Sequence, residues 1–595
     1  MNTDSPRLIP TGSGESVFFG GRNLYPGEEP SDRAHMKAER LPLRPKTLYL
    51  ISSPLLWYGV EALLKRASQE CRFLAVEADS SLAQISDSRI PRRFHNDPRC
   101  RYLSVPSDRE LIEQLYELGI HRLRRCEVIS LNGGYRLYRR QYGHIAQLLQ
   151  NEIERFWQHK ATLVHMMPLW LSHIFKNLAL HTQGIAAPDI CTHPALVVGA
   201  GPSLDEYVPL IRELQERLFI IAVDTAYAPL RNSGVLPDVV VLQEGQIYNQ
   251  YDFLQFPKVD GIVLADLSSH SGILRRLSGA AGGYRLFFTE FTGSTLFDRM
   301  EAAGVLPPFR TPPLGSVGST AVHAALQLCS REVVVCGVDF AFPEGRTHAK
   351  GSAFHINVLL NAHRFNPPTG ELVRAKPGIR TLQQFPQHSR NEEMLDAQSS
   401  TNFTASHYYT APVIDAYVRS FARRFAGEGR LRRLGPGRED MDLRCITPGE
   451  LRELVHEEHE KPADYSGPLD SATSVRSGGV GHTSSRTGGT TAGTAEETEE
   501  RRYPPTTAQV RAFLEGEREL LKECYRLGKM LLYSEGGDRE RRELTACLYR
   551  VDYLYLYFPD TGTMPPELTP TMLKRLLVSA ERFRRQIEQA LQMIE

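Results

Sequence analysis

No apolar run in this chain reaches the roughly 20 residues that a bilayer-spanning helix needs, and the opening MNTDSPRLIPTGSGES lacks the basic and apolar blocks of a secretion signal. An excess of charge of one sign is missing too. Lys and Arg together number 70, as do Asp and Glu, which excludes a global pull toward nucleic acid or an anionic membrane. The nine cysteines show no C-x-x-C spacing, so neither a zinc ribbon nor a disulfide framework is indicated, and Cys329 and Cys336 sit in apolar segments of core character. A reduced, cytoplasmic protein is expected. At 595 residues the chain exceeds a single core, and about three or four domains are expected.

What is present centres on VVGAGPSLDE, Val197–Glu206. The apolar run before it is short and β-branched, so Leu196–Val198 reads as a buried strand running into glycine. Gly199 and Gly201 allow a sharp turn and close backbone approach to a ligand. Pro202 suits a first helical turn, and Ser203 and Leu204 then open a helix whose N-terminal amides would seat a phosphate.

Ahead of this loop, residues 1–45 read as an irregular arm rich in Gly, Pro and charge. Residues 46–135 read as a smaller α/β domain: strand Thr47–Ser52, helix Trp57–Ala67, strand Arg72–Glu77, then short strands at Leu103–Val105 and Cys126–Leu131. Glu77 closes the second strand where dinucleotide folds hold a ribose, but SSPLLWYG lacks G-x-G-x-x-G, so a structural β-α-β remnant is favoured. Residues 136–188 read as a helical connector in which Pro168 starts or kinks a second helix. Its His165, His173 and His181 have no Cys or carboxylate at ligand spacing, and no metal site is assigned.

Residues 189–430 alternate strand and helix, as a Rossmann-like, mostly parallel sheet does. Polar groups cluster at the strand ends, where such sheets bind ligands: the Gly loop, Asp224 and Thr225, Glu244, Ser316, Ser319 and Thr320, and Gly337 with Asp339. Arg419–Arg433 carries six arginines, a solvated helix face or a contact for an acidic partner. Residues 431–505 read as a linker, largely disordered from 462, rich in Ser, Thr and Gly. Residues 506–595 read as three helices, a bundle packed on itself or on the core.

The set PALVVGAGPSLDE, IIAVDTAYAPL, PDVVV, GSVGSTAVHAALQL, VVVCGVDFAF and GRTHAKG resembles the motility-accessory-factor (Maf) flagellin glycosyltransferases. It is also similar to bacterial CMP-sialic acid transferases and to MptE-like pterin pyrophosphokinases. The resemblance implies that the Gly loop and the following strand ends hold a cytidine nucleotide. Asp224 stands where the sialyltransferases have asparagine, and Gln243-Glu244-Gly245 replaces an Asp-containing strand end.

The reaction implied by the resemblance is transfer of a nonulosonic acid, pseudaminic or legionaminic in type, from its CMP ester to Ser or Thr hydroxyls of flagellin. His348 would be the base, with Asp339 and Lys350 also catalytic and Arg346 beside them to meet phosphate or sugar carboxylate. His355, His407 and Tyr408 are reserves. Ser316, Ser319 and Thr320 would bind the sugar carboxylate or cap their helix. No cofactor is required, and magnesium is left open. Two alternatives stand: a 6-hydroxymethyl-dihydropterin pyrophosphokinase-like enzyme using ATP and magnesium, and a non-catalytic flagellin-binding or export factor.

Overall fold

The computed structural model describes residues 5–12, 14–185, 191–256, 258–290, 294–343, 346–368, 379–382, 408–435, 437–456, 504–533, 535–559, 561 and 565–594. The chain divides into two compact units, Met1–Pro168 with Leu554–Met572, and Leu169–Tyr553 with Leu573–Glu595.

In the first unit, β1 (Arg7–Thr11), β2 (Gly14–Phe19) and β3 (Arg22–Asn23) form an antiparallel sheet, followed by the helix Pro30–Arg40. The stretch expected as an irregular arm is therefore structured. Val17, Leu24 and Tyr25 within it are buried in a common cluster, which a count of apolar residues undervalues. Then β4 (Thr47–Ser52), β5 (Arg72–Glu77), β6 (Cys100–Ser104) and β7 (Arg125–Ile129) make a parallel sheet in the order β6-β5-β4-β7.

Glu77 is fully buried. Its carboxylate accepts from Ser53 Oγ (2.9 Å), Ser86 Oγ (3.3 Å) and the amide of Ala78 (3.0 Å). Tyr25 fills the neighbouring turn, its hydroxyl donating to Pro54 O (3.2 Å) and accepting from Leu56 N (3.2 Å). The Glu77 carboxylate is thus bound by the chain's own groups. The expected pair of connector helices is one helix, Arg139–His181, with Pro168 inside it.

The second unit is built on nine strands among the described residues. The first seven are β8 (Ala195–Val198), β9 (Phe219–Val223), β10 (Val239–Leu242), β11 (Ile262–Asp266), β12 (Tyr284–Thr289), β13 (Arg310–Thr311) and β14 (Val333–Cys336). A small sheet of β15 (Phe342–Pro343), β16 (Arg380–Leu382) and β17 (Tyr408–Thr410) follows. Finally β18 (Leu431–Leu434) and β19 (Arg444–Ile446) return to the main sheet, whose order is β13-β12-β11-β10-β9-β8-β14-β18-β19, parallel throughout. β8, β9, β10 and β14 are buried along their whole length, which is why they read as unbroken apolar runs: helices cover both faces of a parallel sheet.

Residues 431–456, expected as the start of a linker, instead add β18, β19 and the helix Pro448–His456. The run LRRL is too short and too polar to announce a strand. Arg419, Arg423 and Arg424 of the arginine-rich segment are exposed, as a solvated helix face is, and three arginines have partners within the chain. Arg430 donates to Cys329 O (2.8 Å) and Leu326 O (3.1 Å), Arg433 to Gly435 O (3.0 Å), and Arg424 contacts His323 Nδ1 at 3.3 Å. The linker stretch 462–503 lies outside the described residues.

The carboxyl-terminal helices are Thr507–Leu532, Asp538–Arg550 and Pro570–Ile594. Arg299 forks onto the buried Glu517 (2.7 and 2.9 Å), and the buried Asp552 accepts from Ser294 Oγ (2.5 Å) and the amide of Thr295 (2.9 Å). Phe175, Tyr553 and Phe583 meet edge to face or tilted. Within the second unit, these helices are docked on the sheet domain. Cys524 and Cys547 join them in a disulfide, in place of the fully reduced set expected. No helix among the described residues is long and apolar enough to cross a membrane.

Candidate functional site at the switch point of the sheet

Strands after β8 are added on one side through to β13, whereas β14 lies on the other side of β8. The order of an open α/β sheet reverses there, and ligands bind in the crevice outside the carboxyl ends of the two strands. The Gly loop leaves β8 at this point, and Gly337–Phe340 leaves β14.

The two turns are interlocked. A Cβ on Gly199 would fall on the carbonyl oxygen of Gly337, one on Gly337 would fall on that of Gly199, and one on Gly201 would sit 2.5 Å from Asp339 Oδ2. Gly337 has φ +70°. These glycines admit the neighbouring turn of the same chain, a tighter demand than the ligand approach inferred from sequence. Phe340, at φ +48°, holds a conformation costly for a side chain bearing Cβ, the kind of local strain that collects at functional sites. Pro202 lies in the turn ahead of the helix Leu204–Leu214, not in its first turn.

The loop amides are likewise committed. Gly199 N donates to Cys336 O (2.8 Å), Gly201 N to Gly337 O (2.7 Å) and Leu204 N to Gly201 O (3.1 Å). Ser203 gives Asp339 both its amide, to Oδ2 at 2.9 Å, and its hydroxyl, to Oδ1 at 2.5 Å. The expected phosphate seat of open amides is thus closed by the β14 turn, because a carboxylate in the same chain occupies the helix N-terminus. Burial raises the Asp339 carboxyl above its usual range, opposed by the Ser203 hydrogen bonds. With both oxygens on Ser203, Asp339 is a positioning residue.

A second loop is stitched onto the first through Asp205, which sequence reasoning passed over. Asp205 Oδ1 accepts from the amide of Lys350 (2.9 Å), Arg346 Nη1 pairs with Asp205 Oδ2, and Ala349 N donates to Ala200 O (2.8 Å). The arrangement brings His348, Lys350 and Arg346 beside the Gly loop. His348 Nδ1 lies 2.8 Å from Thr347 Oγ1, and its ring stacks on Phe354 with centroids 4.5 Å apart and planes at 13°. His355 Nδ1 accepts from Gly351 N (3.3 Å), and burial lowers its basicity. Burial, then the charges of Glu206 and Asp339, raise the Tyr408 phenol, so β17 also reaches this crevice. His407 lies outside the described residues.

At the ends of β9 and β10 is a group the sequence only half disclosed. Asp224 accepts from Thr225 N (2.8 Å) and from Asn249 Nδ2 (2.9 Å), and the same Asn249 Nδ2 reaches Asp252 Oδ2 (3.0 Å). All three side chains are buried, and Asn249 Oδ1 and Asp252 Oδ1 have no hydrogen-bond partner. Burial pushes both carboxyls up, and the charge of Asp224 adds to the effect at Asp252. Asn249 and Asp252 sit in a polar-looking 3-10 segment, Ile247–Phe253; only the N-x-x-D spacing hints at them. Glu244 turns back to the amide of Gln246 (2.8 Å).

Ser316 caps the helix Val317–Leu328 by accepting from Ser319 N (3.2 Å). Ser319 and Thr320 are buried. Thr320 Oγ1 donates to Gln243 Oε1 (2.9 Å), and Gln243 Nε2 to Thr289 Oγ1 (2.9 Å). The helix-capping half of the expectation is visible here, with hydroxyls tied across β10 and β12. The connector histidines are apart from this chemistry: His173 packs on the ring of His270 at 4.7 Å, and His181 is buried.

Residues 170–345 match the family described as 6-hydroxymethylpterin diphosphokinase MptE-like. An uncharacterized protein of Treponema pallidum (strain Nichols) is 30% identical over 384 residues, 63% of this chain and 66% of that protein. A second from the same organism is 28% identical over 147 residues, 23% of this chain and 36% of its own length. The chain thus spans just under two thirds of the first relative. Among solved structures, the MAf glycosyltransferase from Magnetospirillum magneticum AMB-1 superposes with a TM-score of 0.52 over 100% of this chain and 92% of that one, at 14% identity. The chain carries an MptE-like domain at residues 170–345 within a fold that resembles, along its whole length, that of a Maf glycosyltransferase.

Proposed function

We propose that this chain is a cytoplasmic glycosyltransferase that moves a nonulosonic acid of the pseudaminic or legionaminic type from its CMP ester to Ser or Thr hydroxyls of flagellin. The observation that carries the reading is the stitching of the 346–350 loop onto the Gly loop through Asp205, which gathers a histidine and two cations at the switch point of the sheet. Likeness of fold to a Maf glycosyltransferase over the whole chain supports it.

In the reaction, the bond from the anomeric carbon to the phosphate oxygen breaks and CMP leaves with the electron pair. Arg346 and Lys350 meet the developing phosphate charge. The acceptor oxygen bonds to the anomeric carbon, and its proton passes to His348, whose ring is fixed by Thr347 and Phe354. Asp339 keeps Ser203 and the Gly loop in register. The decisive experiment is intact-mass analysis of flagellin co-expressed with the chain and a CMP-pseudaminic or CMP-legionaminic acid supply. Sugar-sized mass steps are expected with wild type and not with His348→Ala; no step from wild type with either donor rejects the reading.

A second reading rests on the MptE-like match: diphosphate transfer from ATP to a hydroxymethylpterin. Magnesium would there offset phosphate charge, and Asp224, Asp252 and Asn249, with their two unpartnered buried oxygens, are the residues to hold it. AMP release that depends on the pterin would favour this reading.

A further inference from the structure

Arg438 stands just beyond β18, in a stretch expected from sequence to be linker. Its side chain is buried, and its guanidinium joins segments far apart in the chain. Nη1 lies 3.2 Å from the carbonyl oxygen of Phe340, 3.0 Å from Thr410 Oγ1 and 2.9 Å from Asp415 Oδ1. Nε and Nη2 fork onto Asp440 at 2.8 and 2.5 Å. Thr410 and Asp415 are buried as well, and the Thr410 hydroxyl donates to the same Asp415 oxygen (3.0 Å).

A buried ion pair is a poor way to stabilise a fold, because desolvating both charges offsets most of their attraction and apolar side chains of similar volume do as well. What a guanidinium supplies is direction: planar, with donors at fixed angles, it sets where several oxygens lie relative to one another. Here those oxygens belong to the root of the candidate site. Phe340 follows Asp339, whose carboxylate clamps Ser203, and holds its φ at +48°. Thr410 ends β17, which pairs antiparallel with β15 through Phe342 opposite Tyr409 and Pro343 opposite Tyr408. Residues 340–343 are therefore held twice, at the carbonyl of Phe340 directly and at β15 by way of β17. They lead into the 346–350 loop, where Arg346 and Lys350 are stitched to Asp205.

We infer that Arg438 is a positioning residue for transfer: it fixes the root of the His348 loop while Asp205 fixes the loop itself, so that His348, Arg346 and Lys350 meet the donor in one arrangement. The inference rests on the transferase reading above. Arg438 touches neither donor nor acceptor in this role; it acts through Phe340 and β17.

The test uses the full-length chain and two variants. Arg438→Lys keeps a charge for Asp415 but loses the fork, and Thr410→Val removes one of the oxygens while keeping a branched side chain. Each is followed by hydrogen exchange with mass-spectrometric detection and by steady-state transfer to intact flagellin. In Arg438→Lys, the amides of Ala349 and Lys350, bonded to Ala200 O and Asp205 Oδ1, should exchange about tenfold faster, while those of β8, β9 and β10 exchange as in wild type. The kcat should fall about tenfold with the KM for the CMP-sugar changed less than about threefold, since the loop acts on charge that develops in the transition state. Thr410→Val should move exchange and kcat in the same directions by about threefold, and it carries the comparison if Arg438→Lys does not fold.

Exchange that speeds evenly throughout the second unit would make Arg438 a residue of global stability and overturn the inference. Unchanged exchange at Ala349 and Lys350 overturns it too, as does faster local exchange with a wild-type kcat; each of these leaves the transferase reading intact. A wild type that transfers no sugar from either donor rejects the transferase reading, and the positioning role with it.

Discussion

Ser203 hands both its amide and its hydroxyl to the carboxylate of Asp339, at 2.9 and 2.5 Å, across the gap between the turns that follow β8 and β14. A helix start is thereby clamped to the end of the neighbouring strand. Hydrogen bonds to a charged partner contribute about 1.5–3 kcal/mol each. In a double-mutant cycle, Ser203→Ala and Asp339→Ala should show a coupling energy of about 1–3 kcal/mol by urea denaturation. Additive losses would mean that the clamp does not hold the turns.

Gly199 and Gly337 should not tolerate alanine. Each new methyl would fall on the other residue's carbonyl, and the φ of +70° at Gly337 adds strain. Either substitution should cost about 2–4 kcal/mol by overpacking and backbone displacement. Gly279, whose Cβ would meet nothing within 4 Å, is the control: Gly279→Ala should leave the urea midpoint nearly unchanged.

Glu77 makes the first unit sensitive to pH. Burial raises its carboxyl from 4.5 to about 7. Between those values the folded chain keeps a proton that the unfolded chain has lost, so stability present below pH 4.5 is lost as the pH rises to about 7. The integrated loss is about 3 kcal/mol. Urea denaturation of wild type and Glu77→Gln across that window should show wild type losing stability relative to the variant as pH rises. The opposite slope would exclude a neutral buried carboxyl.

His173 and His181 set the opposite limit. Burial lowers them from 6.5 to about 4 and about 3. The unfolded chain takes up protons below pH 6.5 that the folded chain refuses, so stability present above 6.5 is lost as pH falls through these values. Each should contribute about 1.4 kcal/mol of loss per pH unit within its window. His173→Gln should flatten the acid limb of the denaturation profile measured between pH 6.5 and 4.

The parallel core was legible because its strands are buried on both faces: ALVV, FIIAV, VVVL and VVVC announce themselves as unbroken apolar runs. The last two strands were not. LRRL and RCI hold exposed or half-exposed polar side chains, and the pairing of β18 with β14 and of β19 with β18 comes from topology, which local pattern does not carry. The Gly loop was legible as a turn, but its function in packing was hidden. Nothing local to Gly201 says that an aspartate 138 positions later will take the space, Asp339 Oδ2 lying 2.5 Å from where its Cβ would be. Asp205 and Asn249 escaped for a similar reason: each looks like an ordinary polar residue until the loop it bonds to is placed.

The ion pair of Arg299 with Glu517 and the hydrogen bonds of Asp552 to Ser294 and Thr295 turn the carboxyl-terminal helices into a return of the chain. Residues 457–503 therefore join two segments that are each fixed to the same domain, by the helix Pro448–His456 on one side and Thr507–Leu532 on the other. Covalent continuity there contributes only the entropy of closing a loop, which changes by about 0.6 kcal/mol for each doubling of its length. Severed within that stretch, the two pieces should remain one particle, and the carboxyl-terminal helices supplied as a separate chain should find their seat unaided.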